Sequence, residues 1–189
     1  MKASVRQMAP GSLTRRGALG AGTAAVLSSC GSRDPAPGSG RRAGAGAGLL
    51  NSILVLEHAA VAAYAAGTPF LRGDARRYAR QIADQEREHV RRLEELIHGL
   101  GGTAARSRTR DEYARSFPLL HDGGDALRFA HDLEERLVRE YLQALPKLPD
   151  DELRRAAAEI GADEGEHLAV INVLRGGPAA PQPFVTGTL

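Results

Sequence analysis

The sequence predicts an all-α domain, specifically an antiparallel four-helix bundle, and three observations predict it. Hydrophobic residues make up 42% of the 189-residue chain, but aromatics only 4%, with no Trp. A core must therefore be built from Leu, Ala, Val and Ile, which favours helices over a β-sandwich. Four apolar-periodic stretches follow one another from about residue 48. Two short connections flank one long one, the arrangement of two helical hairpins joined by a crossover.

The first stretch, GLLNSILVLEHAAVAAYAAG, ends at Gly67 with Pro69 just beyond. The second runs from a cap at Asp74 through ARRYARQIADQEREHVRRLEELIHGL to Gly101-Gly102. The third follows Gly123-Gly124 with a cap at Asp125, continues through ALRFAHDLEERLVREYLQAL and stops at Pro146. The fourth follows Pro149, runs through DELRRAAAEIGADEGEHLAVINVLR and stops at Gly176-Gly177-Pro178. Between the second and third, residues 102–124 are long enough to recross the bundle, and their SFPLLH segment (116–121) offers apolar residues to pack on it. A fifth helix is not expected. Residues 177–189 are expected to be irregular.

The two halves resemble each other. LEHAAVAAY (56–64) aligns with LEERLVREY (133–141), and IADQEREHV (82–90) with IGADEGEHL (160–168). The pattern points to an ancestral duplication and approximate two-fold symmetry.

The N-terminus is read as a targeting segment. Lys2, Arg6, Arg15 and Arg16 lie in the first 30 residues, which hold no acid, leaving 21 basic against 23 acidic residues in the remainder. No nucleic-acid partner is expected from that balance. Arg15-Arg16, the weakly apolar run GALGAGTAAVL and then LSSC, ending at Cys30, resemble a twin-arginine export signal with a lipoprotein lipobox. Ala18 departs from that pattern, which usually has Phe there. Cys30 is the single cysteine, so no intramolecular disulfide forms. The resemblance implies lipidation at Cys30 and attachment to the outer face of the cytoplasmic membrane; the bland alternative is a chance cysteine in a discarded peptide. Residues 31–47 read as a flexible tether.

A helix turns about 100° per residue, so facing can be counted. Ile82, His89, Leu93, Ile97 and Leu100 share an arc with Glu86, and Leu153, Ile160, His167 and Ile171 share one with Glu164. Leu50, Ile53, Val61 and Tyr64 flank Glu57; Leu127, Val138, Tyr141 and Leu145 flank Glu134. Each helix thus turns one glutamate inward, and the second and fourth add a histidine three residues on. Unpaired, such buried ionised groups would cost several kcal/mol each. Two divalent metal ions remove that cost, because four carboxylates offset four positive charges and Glu-x-x-His sets both donors on one face.

This constellation resembles the ferritin-like superfamily of dinuclear carboxylate proteins, in which two helices each give a Glu and two give Glu-x-x-His. It covers roughly residues 48–176 and is similar to ferritin-like domains of unassigned function in exported bacterial lipoproteins. The resemblance implies Glu57 and Glu134 as terminal carboxylates, Glu86 and Glu164 as bridging ones, and His89 and His167 as nitrogen ligands. It also implies that Tyr64 and Tyr141, each seven residues after its Glu, hydrogen-bond a ligand carboxylate; the plainer alternative is two core aromatics. Iron or manganese is the implied metal, and reaction with O₂ or peroxide the implied chemistry. The alternatives are a non-catalytic metal-binding module, a structural lipoprotein and a metal-free polar layer. No Cys-x-x-Cys follows the bundle, and Met1 and Met8 both lie in the signal, so neither a rubredoxin module nor a Met-ligated haem is expected. A homodimer is the candidate assembly. Glu88, Glu135, Glu166 and Asp163 read as surface charges, one of which could stand behind a ligand. His58 reads as an edge residue able to supplement the site, and His98, His121 and His131 as surface histidines.

Overall fold

The computed structural model describes residues 39–187. Five α-helices occur among them: α1 (Ser39–Gly67), α2 (Gly73–Gly99), α3 (Arg110–Ser116), α4 (Gly123–Ala144) and α5 (Asp151–Leu174). The four long ones form the bundle. α1 and α2 form one hairpin, α4 and α5 the other, and α1 packs on α4 to join them; α2 and α5 share the loosest contact. Arg15, Arg16 and Cys30 lie outside the described residues, as does the part of the expected tether before Ser39.

Three expectations need correction. The first helix begins at Ser39, nine residues before 48, so the later half of the expected tether is helical. Gly46 and Ala47 are buried, and the Gly46 backbone lies against Pro149 and Leu100. Small residues that read as linker are here what lets helix and loop approach, and tertiary packing overrides weak propensity. The second correction is α3, a fifth helix inside the crossover. Thr109 and Glu112 close a reciprocal capping box at its start, and Tyr113 stacks on Phe117 with centroids 5.3 Å apart. Phe117 packs against the core and Leu120 joins a second cluster, whereas Leu119 is exposed.

The third concerns caps. α2 is preceded by Arg72 with no side-chain cap, and it opens at Gly73 with φ +51°, a conformation glycine tolerates. Asp74 therefore falls in the first turn, 2.9 Å from Arg77. For α4 the cap is Asp122, whose carboxylate accepts the Asp125 N–H at 2.9 Å. Gly123-Gly124, read as a breaker, forms the first turn, so the cap moves upstream. At α5, Asp150 caps the Leu153 N–H at 2.9 Å, as the Pro149 boundary suggests.

α1 is long and apolar enough to cross a membrane by length and composition over Gly40–Phe70. Its Leu50, Ile53, Leu54, Leu56 and Ala60 nevertheless line the bundle core, and it carries a fully buried glutamate. The core is divided in two. One cluster, at the end where α1 begins, is rich in large aliphatics such as Leu50, Leu54, Leu93, Ile97 and Leu137. The other, around Tyr64 and Ile171, leans on Ala79, Ala83, Ala126 and Ala130. Between them lies a polar layer. No regular element occurs from 175 to 187. Gly187, at φ +62°, seats against the α4 backbone at Glu135 and Arg139, where a Cβ would come within 2.5 Å of the Glu135 carbonyl.

Candidate metal centre

The polar layer is made of Glu57, Glu86, His89, Glu134, Glu164 and His167. All four glutamates are 0% exposed, and the histidines are buried. The structure brings all six expected residues together. They form two sets of four, Glu57, Glu86, His89 and Glu164, and Glu86, Glu134, Glu164 and His167, each offering one donor atom per residue within 4.8 Å of the others. Glu86 and Glu164 belong to both sets.

Each shared carboxylate divides its oxygens between the imidazoles. Glu164 Oε1 lies 2.9 Å from His89 Nδ1, and its Oε2 3.1 Å from His167 Nδ1. Glu86 Oε1 lies 3.0 Å from His167 Nδ1, and its Oε2 3.7 Å from His89 Nδ1. The unshared carboxylates each approach one imidazole, Glu57 at 3.6 Å from His89 and Glu134 at 3.7 Å from His167. The imidazole rings stack with centroids 5.8 Å apart.

Most of this proximity is not hydrogen bonding; the exception is His167 Nδ1 with Glu164 Oε2 at 3.1 Å. Glu57 Oε2, both Glu86 oxygens, His89 Nδ1, Glu134 Oε2 and Glu164 Oε1 are buried and make no hydrogen bond among the described residues. His89 Nδ1 and Glu164 Oε1 are 2.9 Å apart, yet out of line for one. Buried polar atoms are otherwise almost always paired. Orphaned donors that crowd together without facing one another fit a cation between them, so the residues present suit a divalent ion.

Two tyrosines brace the layer across the halves. Tyr64 of the first hairpin donates to Glu134 Oε1 of the second, and Tyr141 of the second donates to Glu57 Oε1 of the first. Each tyrosine lies on the helix of one unshared glutamate and holds the other. Gly161 makes room for one of them, since a Cβ there would meet Tyr141 Cβ at 3.0 Å. Burial, then the nearby carboxylates, push both phenols well above their usual pKa, so they remain donors.

The same burial acts on the acids. Glu57 is raised well above the carboxylate range, first by burial and then by Glu164 and Glu86. Glu134 is raised to about 8, by burial and then by Glu164. Burial pulls the imidazoles down, but the carboxylates crowded against them outweigh it. His89 is held well above its usual value by Glu164, Glu57 and Glu86, and His167 reaches about 12 through Glu134, Glu164 and Glu86.

Asp163 is the residue that helical facing leaves on the surface. Its Oδ2 lies 3.0 Å from His89 Nε2 and 3.9 Å from His167 Nε2, and its side chain is only 29% exposed. The carboxylate thus backs the His89 ring on the side opposite Nδ1, whereas His167 Nε2 is buried and makes no hydrogen bond. Its sole sequence signal is its position, directly before Glu164 and four residues before His167 on one helix. The duplicated half has Gln85 there. The other candidates stay outside the donor sets. His58 bonds the Ala105 carbonyl at 3.1 Å. Glu88, Glu166, His98 and His121 are exposed, and Glu135 and His131 are half-buried.

Comparison with known proteins agrees with this architecture. Residues 46–177 match the model of the ferritin-like domain family. No functionally curated protein matches. Among solved structures, one described as "ferritin like, diiron-carboxylate proteins" from Bacillus anthracis str. Ames is similar at 22% identity and a TM-score of 0.61, over 71% of this chain and 97% of that one. A conserved hypothetical protein from Mycobacterium tuberculosis is similar at 15% identity and a TM-score of 0.64, over 77% and 99%. At those identities the likeness concerns the fold. With the family match, the helical bundle and the buried Glu/His layer, the chain belongs to the ferritin-like domain family.

Proposed function

We propose that the protein is an exported, membrane-anchored metalloprotein holding a dinuclear Fe or Mn centre that reacts with O₂ or peroxide. The observation that carries this reading is the sharing of Glu86 and Glu164 between two otherwise separate donor sets. Shared carboxylates with one oxygen toward each imidazole suit bridges between two ions. Glu57 with His89, and Glu134 with His167, then complete one site each.

A mixed imidazole and carboxylate set suits Fe, Mn or Zn better than Ca²⁺ or Mg²⁺. The description of the Bacillus anthracis protein as diiron-carboxylate favours a redox metal. Two such ions, when bound, supply the redox equivalents for reducing O₂ or peroxide. The protein's own residues do the rest. Asp163 accepts a hydrogen bond from the Nε2–H of His89, which would leave Nδ1 as the lone-pair donor to metal. Tyr64 and Tyr141 fix the rotamers of Glu134 and Glu57. The aliphatic clusters on either side exclude water. On loading, the imidazoles and the raised carboxyls release their protons.

Export rests on Arg15-Arg16, and anchoring to the outer face of the cytoplasmic membrane on a lipidated Cys30. A twin-arginine route, which carries folded proteins, is consistent with loading in the cytoplasm. A homodimer is the proposed assembly. One observation favours a second reading, a module that sequesters metal without catalysis: no glutamate of the layer is exposed at all. Consumption of O₂ or peroxide by Fe(II)- or Mn(II)-loaded protein separates the two. Multiple turnovers support the redox reading. Full loading with no consumption of either oxidant sinks it and leaves the sequestering module.

A further inference from the structure

Away from the metal layer, α1 and the crossover enclose a cleft of about 700 Å³. That volume lies within the range of small-molecule sites. Its floor is the outer side of α1, formed by Val61, Ala62, Ala65 and Ala66, and the stacked Tyr113 and Phe117 belong to its wall. Arg108 and Arg110 also line it.

These two guanidiniums are available. Among the described residues, neither forms an ion pair within 4 Å or donates a side-chain hydrogen bond. Asp111, the nearest acid in sequence, pairs with neither arginine, and Glu112 beside it does feel Arg108. The Glu112 carboxylate is committed elsewhere, however, accepting from the Thr109 N–H and hydroxyl at 2.7 Å each. The crossover is also held in place. His58 bonds the Ala105 carbonyl at 3.1 Å, Asn51 accepts the Ala105 N–H at 2.7 Å, and the Tyr113 hydroxyl accepts the Arg108 N–H at 3.4 Å. The arginines therefore project from a fixed segment rather than a loose loop.

We infer that this cleft binds a free small-molecule oxyanion, a carboxylate or phosphate ester on an apolar and preferably planar body. Forked guanidiniums suit the planar, bidentate head of such a ligand. The alanine floor and aromatic wall suit its body. A concave site flanked by two cations fits a soluble ligand better than a bilayer, which needs a protruding surface. The inference is independent of the metal reading, because none of the six layer residues lines the cleft.

The test is binding of 2-naphthoate to the purified full chain, beside 2-naphthamide, which has the same body without the charge. Naphthoate is expected to bind at least about tenfold more tightly, as a charge-assisted hydrogen bond implies. Arg108→Gln with Arg110→Gln is expected to bring naphthoate down to the level of the amide. Ala66→Trp, with both arginines intact, is expected to abolish binding of both by filling the floor. Metal content and helicity should match the parent in each variant, which separates loss of the cleft from loss of the fold. Equal binding of acid and amide would overturn the inference, as would arginine-independent binding or no binding of either. Binding only to vesicles of anionic phospholipid, with no free naphthoate bound, would overturn it too and assign the arginines to a lipid surface.

Discussion

The two ends of the bundle present the same pair of bracing tyrosines in different surroundings. Tyr141 sits in the aliphatic end, among residues such as Leu137, Leu148 and Ile160, pressed against Gly161. Tyr64 sits in the alanine-rich end with Ala79, Ala83, Ala126 and Ala130, where a void of about 20 Å³ remains beside it. The ligand layer obeys the pseudo-symmetry of the duplication; its packing does not. One end is thus closely packed with large side chains, and the other leaves slack next to a tyrosine that braces the buried Glu134. Asp163 adds a second asymmetry, since it backs the His89 imidazole alone and its counterpart in the other half is Gln85.

The strongest way to break this comparison is to remove bulk from each end. Leu137→Ala, at a site with no exposure, is expected to cost about 2–5 kcal/mol in chemical denaturation. Ala130→Val, beside the void, is expected to change stability by about 1 kcal/mol or less, because part of the added volume is already empty. Similar losses at both would mean that the ends pack alike.

Next come the braces. Tyr64→Phe and Tyr141→Phe each leave a buried carboxylate oxygen without its donor, at about 1–3 kcal/mol in the metal-free protein. If the alanine-rich end can relax, Tyr64→Phe should fall at the lower end of that range. Identical costs would argue that the slack has no energetic consequence.

The asymmetry at position 163 is tested by metal affinity. Asp163→Ala is expected to weaken binding about 10–100-fold by competitive titration, and Asp163→Asn less, since the amide oxygen can still accept from a ring N–H. Gln85→Ala should leave affinity within roughly threefold, because that side chain backs no imidazole. Equal losses at 85 and 163 would contradict the assignment.

The smallest effect is a trend with pH. His89, His167, Glu57 and Glu134 all have folded pKa values above their unfolded ones. The metal-free folded state therefore binds more protons than the unfolded chain, and stability falls as pH rises. The Glu134 contribution is complete below about 4.5 and lost as pH rises through about 8. That of His167 is complete below about 6.5 and lost as pH rises toward about 12. Metal-free protein should accordingly melt at lower temperature at pH 9 than at pH 6. Loaded protein should show the reverse, because binding needs deprotonated donors.

Much of the layer was legible in the residues themselves, because Glu57, Glu86, Glu134 and Glu164 break apolar stripes whose burial the helical period dictates. The asymmetries were less legible. Asp163 lies off the inward stripe, and its role depends on how α5 meets α2, a tertiary fact. Ser39–Ala47 has linker composition and is helical because of what it packs against. The α4 cap is Asp122 rather than Asp125, and α2 has no side-chain cap where Asp74 is expected, because loop geometry decides whether an acid meets a free N–H. The α1–crossover cleft joins segments more than 40 residues apart, and no local pattern announces it.

The central claim is a dinuclear centre with shared bridges, and metal stoichiometry tests it most directly. Elemental analysis of protein expressed in Fe- and Mn-replete medium should give two Fe or Mn ions per chain, and the His89→Ala/His167→Ala variant close to none. A metal-free protein whose stability is unchanged by Glu86→Ala and Glu164→Ala would contradict the account.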